Sequence, residues 1–195
     1  MSKNLKFIHI TKTAGTSLEN SAFKNGIQWG RYHTEYQENE NLKCFWHEFF
    51  PKKSIILKKK YDWFVVVRNP YTRILSEFYC NYNKDQINIK NKTQCNHYLI
   101  HKIKNYNSNG GHFSPQYLYI DRITTIHVLK YENLQNDLKN LMSLYKYNFE
   151  LDVWDNKSLY KEFTLKNFNN NLIEVIQTYY KKDFEMFNYS INLPY

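Results

Sequence analysis

At 195 residues the chain can bury one full core and is too short for two comfortable ones, so a single domain over residues 1–195 is expected. Lysine and arginine exceed aspartate and glutamate by 27 to 18, a net charge of +9, which favours anionic partners such as nucleotides, charged glycans, nucleic acid or a membrane surface. No apolar stretch is long enough for a signal peptide or a membrane span, and three cysteines without ligand spacing indicate neither a disulfide framework nor a zinc site; a soluble, cytoplasmic protein with buried thiols is predicted.

Residues 5–10 form a short apolar run that reads as a buried strand, Lys12 to Thr16 carry turn chemistry, and residues 17–23 resume at helical spacing. In a strand–loop–helix unit of this kind the amides of Thr13, Ala14, Gly15, Thr16 and Ser17 face one concavity, with the helix dipole and the Lys12 ammonium adding positive charge. A phosphate or sulfate is the expected occupant. The loop departs from the Walker A pattern, in which lysine follows the last glycine; here Lys12 precedes Gly15.

After a break at residues 26–30, residues 29–41 are polar and aromatic without a period, and residues 44–51 hold His47 and Glu48 among aromatics. A second apolar strand, Trp63 to Val67, ends in Arg68 and turns through Asn69-Pro70 into a helix expected to reach about residue 83. Arg73 and Ser76 lie three apart on that helix and Arg68 sits at its start, so guanidinium donors and a hydroxyl are expected to converge on an anion.

These two blocks, Lys-Thr-Ala-Gly-Thr-Ser and Arg-Asn-Pro with a serine further along the helix, resemble the 5′-phosphosulfate loop and the 3′-phosphate motif of sulfotransferases that use 3′-phosphoadenosine 5′-phosphosulfate (PAPS). The resemblance is to the carbohydrate branch, sulfotransferase family 2, and runs from Phe7 to about Tyr189. It implies a P-loop-like α/β fold of three layers with a central parallel sheet, and sulfuryl transfer from PAPS to a hydroxyl, most readily on a glycan. Lys12 and the loop amides would hold the phosphosulfate, Lys12 would also act at the leaving oxygen, and Arg68 and Ser76 would grip the 3′-phosphate. His47 lies where many members carry a histidine and some use it as the base; local residues alone favour a packed histidine, and His33 and Glu48 are alternatives.

Further on, residues 94–106 have amphipathic helical spacing. The segment 112–118, His-Phe-Ser-Pro-Gln-Tyr-Leu, resembles an acceptor-side element of the family, making His112 and Gln116 expected substrate contacts; Ser114 and Pro115 also suit a helix start. Residues 124–130 alternate as a strand, residues 134–145 follow as a helix, and Asn156-Lys157-Ser158 resembles a family element near the nucleotide, which adds Lys157 and Ser158 to the donor site. Residues 171–187 read as one closing helix. Strand and helix alternate, as a parallel sheet requires, with the ligand at the strands' carboxyl ends. No metal and no nucleic-acid partner are predicted. A kinase on a similar fold and a non-catalytic polyanion-binding module are the rival readings, the second resting on charge alone.

Overall fold

A computed structural model describes residues 4–33, 47, 49–52, 55–80, 91–106, 110–121, 124–151 and 162–194. Lys157, Ser158, Glu48 and Cys44 lie outside the described residues.

Three parallel strands, β1 (Leu5–Ile8), β2 (Asp62–Val67) and β3 (Ile126–Lys130), form a sheet in the order β1-β2-β3. Phe7 lies opposite Phe64 and Val65 opposite Val128. The middle strand is a run of aromatic and β-branched residues, Trp63 to Val67, all buried, as expected of a strand covered on both faces. Parity sorts the side chains. Leu5, Phe7, Phe64 and Val66 face α1 (Gly15–Lys24) and α5 (Leu134–Tyr145) through Leu18, Ala22, Leu138 and Leu141. Ile8, Ile10, Trp63, Val65 and Val67 face Phe49, Phe50, Tyr119 and Phe187 on the other side. Each fully buried residue of this size contributes roughly 1.5–3 kcal/mol of apolar transfer.

Beside the sheet, α3 (Pro70–Phe78), α4 (Lys92–Lys104), α6 (Asn170–Tyr179) and α7 (Lys181–Met186) pack together around Tyr71, Ile74, Leu99, Ile103, Leu172 and Ile176. The short α2 (Ile55–Lys60) precedes β2; its Lys58 is buried and paired with Asp121 at 2.9 Å. Cys80 and Cys95 are buried and in no disulfide.

Several boundaries differ from the sequence reading. The second motif's helix stops at Phe78 rather than near 83, and the closing segment breaks at Tyr180 into two helices. Tyr180, between the two helices, has φ −107° and ψ 18°, and its buried hydroxyl donates to Phe113 O at 2.5 Å. At 112–118 no helix starts on Ser114; a short 3₁₀ turn spans Gln116–Tyr119, with Pro115 before it and no side-chain cap.

Candidate functional site

The loops that follow β1 and β2 emerge side by side at the carboxyl ends of the sheet. In the first, Lys12 and Ala14 adopt left-handed backbone angles, φ 62° and 71°. Such angles cost a non-glycine residue roughly 1 kcal/mol or more each and persist where the surroundings enforce them. The surroundings here are specific: Thr13 Oγ1 donates to Ile10 O at 2.9 Å, and Arg73 Nε donates to Thr11 O at 2.9 Å. Ala14 provides no side-chain cap for α1, so the N–H groups of the first turn receive no side-chain acceptor from it. Gly15 is required by packing, because a Cβ there would lie 2.3 Å from His9 Nε2.

The second loop is built differently. Asn69 caps α3 by accepting from Tyr71 N, and Pro70 occupies the first helical turn. Arg68 is placed by its own backbone: Gln116 Oε1 accepts from Arg68 N at 2.8 Å and Gln116 Nε2 donates to Arg68 O at 2.8 Å. Its side chain donates from Nε to Thr72 Oγ1 at 3.1 Å and to Lys12 O at 3.2 Å, with the guanidinium 4.0 Å from the Tyr131 ring centre. Burial, and after it the Arg73 cation, pulls the Arg68 pKa below its ordinary value, against the opposing pull of Tyr131, Glu132 and Tyr189. A cation so poorly hydrated gains more than an exposed one from an incoming anion. Half-buried Ser76 lies one turn beyond Thr72 on the same side of α3.

Arg73 does not join that fork. It is 1 % exposed and turned inward, donating to Thr11 O, Thr11 Oγ1 and Ser114 O, with Glu77 Oε1 3.6 Å away. Three apart on a helix is near Ser76, but four apart is Glu77, and the buried carboxylate wins the guanidinium. Gln116, expected as a substrate contact, is fully buried with its amide bonded to Arg68, while Asp183 accepts from Gln116 N and Tyr117 N.

Between the loops stands a row of three imidazoles. His47 meets His9 edge-on at 4.4 Å between ring centres and His112 at 6.2 Å. The outer two are each tied to a buried glutamate through Nδ1: His9 to Glu19 at 2.7 Å and His112 to Glu77 at 2.6 Å. Burial opposes ionisation of Glu77, but hydrogen bonds from His112 and Thr11 and the nearby Arg73 charge together hold its pKa below the ordinary carboxyl value. His47 is pushed down to about 2 by burial first, then by His9, His112 and Arg31, so the expected base is held as a neutral, weakly basic imidazole. His33 packs edge-on against Tyr61 at 5.4 Å, at the amino end of β2, the end of the sheet opposite Arg68.

Glu77, Cys80 and His112 bring one potential ligand atom each within 4.8 Å of one another. The Glu77–His112 contact at 2.6 Å is a hydrogen bond, and the Arg73 guanidinium 3.6 Å from Glu77 already balances its charge. Glu77, His112 and Arg73 thus form one network of hydrogen bond and ion pair, with Cys80 beside it.

Three parallel strands with helices around them define a mixed α/β protein, consistent with a P-loop-like architecture, with an uncapped helix start after the first strand and a desolvated arginine after the second. The profile of the sulfotransferase family, in its family 2 form, matches residues 2–190, and the chain belongs to that family. No curated protein and no solved structure matches it. Among the described residues no helix is long and apolar enough to cross a membrane.

His9, Glu19, Thr72, Glu77 and Tyr131 were not singled out by the sequence. For His9 a signal existed: it shares strand parity with Leu5 and Phe7, which face α1, and Glu19 lies one turn into that helix. The Glu77–His112 pair spans 35 residues and no local pattern announces it.

Proposed function

We propose that this single-domain protein moves the sulfuryl group of PAPS to a hydroxyl group, with a carbohydrate as the acceptor class. The observation that carries the reading is the hydrogen bond from the Arg68 guanidinium to Lys12 O, which joins the two anion-binding loops into one continuous cradle. A nucleotide phosphorylated at both ends of its ribose needs two such sites at a fixed separation. The amides from Thr13 to Ser17 and the Lys12 ammonium would receive the 5′-phosphosulfate, although the Thr13 hydroxyl itself is committed to Ile10 O. Arg68 and Ser76 would receive the 3′-phosphate, with Thr72 steering the guanidinium. Lys157 and Ser158 are proposed to complete the donor side.

The chemistry asks three things of the protein: alignment of donor and acceptor, stabilisation of the charge that grows on the leaving phosphate oxygen, and removal of the acceptor proton. Lys12 is the cation for the second task. The imidazoles beside the loops, His47 among them, are the groups available for the third.

Calorimetry tests the donor. Adenosine 3′,5′-bisphosphate should bind more tightly than AMP or ATP, because a nucleotide lacking the 3′-phosphate leaves the desolvated Arg68 unpaired. Equal affinity for AMP, or preference for ATP with magnesium, overturns the reading in favour of a kinase. A panel of glycans, phenols and small alcohols with labelled PAPS then identifies the acceptor.

A further inference from the structure

Helix α2 buries a lysine and exposes two isoleucines, the reverse of the order that a surface helix needs for its own packing. Leu57 packs against the cluster of Phe50 and Trp63, and buried Lys58 donates to Pro51 O at 2.9 Å and pairs with Asp121 at 2.9 Å. Lys58 O accepts from Trp63 Nε1 at 3.1 Å, which fixes the helix to β2 in this orientation. The outer face carries Ile55 and Ile56, 48 % and 79 % exposed, together with exposed Lys59 and Lys60. Ile55 and Lys59 are four apart, as are Ile56 and Lys60, so two apolar and two charged side chains share one face. Ile56 is the most exposed large apolar side chain among the described residues. Single exposed apolar residues are ordinary; an adjacent pair on a helix that hides its lysine is not. The carboxyl end of α2 lies at the amino end of the sheet, where Lys60 Nζ and Lys6 Nζ sit 5.3 Å and 5.1 Å from the centre of the Tyr61 ring. Arg68 lies past the other end of β2, a strand of six residues and about 20 Å.

We propose that this face of α2 is a peripheral docking site for an anionic lipid bilayer, with Ile55 and Ile56 entering the acyl boundary and Lys59 and Lys60 meeting lipid phosphates. The proposal is independent of the sulfuryl-transfer reading. Charge complementarity selects the occupant: lysines flank the apolar tip, the chain as a whole carries +9, and anionic headgroups attract such cations. The lysine stems can lie along the apolar boundary while their ammonium groups stay at headgroup level. A protein partner fits the face less well. A stable protein interface buries about 800 Å² on each side, of which two isoleucine side chains supply a fraction, and lysine is depleted in such interfaces. Contact at this end of the sheet leaves the loops at the opposite end clear of the bilayer.

Co-sedimentation of the full chain with vesicles tests the site, using phosphatidylcholine alone and an equal mixture of phosphatidylcholine and phosphatidylserine. Wild-type protein should partition onto the mixed vesicles and stay in solution with phosphatidylcholine. Ile55→Ser combined with Ile56→Ser should lower that partition by about 10²-fold, about tenfold for each side chain withdrawn. Lys59→Gln combined with Lys60→Gln should lower it by about 10- to 30-fold at low salt. Leu144→Ser, at an exposed position on α5, should leave it unchanged. All these positions are exposed, so the variants should melt as the wild type does. Wild-type protein that stays in solution with both vesicles overturns the proposal. So does an isoleucine double variant that binds like the wild type, which would show attraction by net charge alone, or an equal loss in Leu144→Ser. A concentration-dependent dimer in analytical ultracentrifugation, lost in the isoleucine double variant, overturns it in favour of a second copy of the chain.

Discussion

The two strand-end loops meet the same requirement by opposite means. After β1 the backbone is strained at Lys12 and Ala14 and the helix start has no side-chain cap; after β2 the backbone is relaxed, Asn69 caps and Pro70 opens α3, and side chains project instead. A helix that is already capped has little left in its amides to offer a ligand, so under the proposed function the second loop would bind through the side chains of Arg68, Thr72 and Ser76. An uncapped one keeps its amides for the ligand and bears the strain for it.

The largest effect should come from the residue that ties the first loop to α3 and to the turn at Ser114. Arg73→Ala removes the guanidinium from Thr11 and Ser114 and leaves Glu77 buried beside no arginine, a loss of about 3–5 kcal/mol of stability in chemical denaturation. A loss under about 1 kcal/mol would show that the loops stand independently.

Next in size, the loops should fail differently. Lys12→Ala should lower turnover by about 10²- to 10³-fold with modest change in nucleotide affinity, because its charge matters most as the leaving oxygen becomes negative. Arg68→Ala should weaken adenosine 3′,5′-bisphosphate by about 1.5–3 kcal/mol and leave AMP almost unaffected. Identical profiles in steady-state kinetics and calorimetry would refute the division of labour.

The bracket behind the second loop carries a pH dependence. Burial outweighs the hydrogen bonds from Gln116 and Tyr117 and raises Asp183 from 3.8 to about 6. The folded state therefore holds a proton that the unfolded chain releases, and stability should fall as pH rises from about 4 to about 6, then level off. Thermal melts of Asp183→Asn should lack that decline.

The smallest effects isolate the caps. Asn69→Ala should cost about 1 kcal/mol. Ala14→Gly, which removes the penalty for φ 71° while loosening the unfolded chain, should gain a few tenths to about 1 kcal/mol. A loss on Ala14→Gly would mean that the first loop is not strained.

The contrast between the loops also marks what could be read from the chain alone. Lys-Thr-Ala-Gly-Thr-Ser and Arg-Asn-Pro were legible because turn chemistry and helix starts are local, and β2 because the five uninterrupted strand formers from Trp63 to Val67 leave little choice. The inward turn of Arg73 was not, since Ser76 and Glu77 sit within one turn of it and only the tertiary position of Thr11 and Ser114 decides between them. α2 was hidden by three consecutive lysines, one of which is buried against Asp121. His112 and Gln116 were found by resemblance, but their neighbours Glu77 and Asp183, 35 and 67 residues distant, decide what each can do.

Gln116 returns both hydrogen bonds of the Arg68 peptide with one side-chain amide, as a neighbouring strand would. A side chain thus stands in for a piece of sheet, and the turn it belongs to is held to β2 there, to Arg73 through Ser114 O and to Asp183 through its own amides. Part-exposed side chains of that turn, such as Tyr117 and Leu118, can be exchanged without disturbing strand register, so under the proposed function the turn would be a replaceable fitting: a place where new substrate preferences can be selected or engineered while the donor cradle stays as it is.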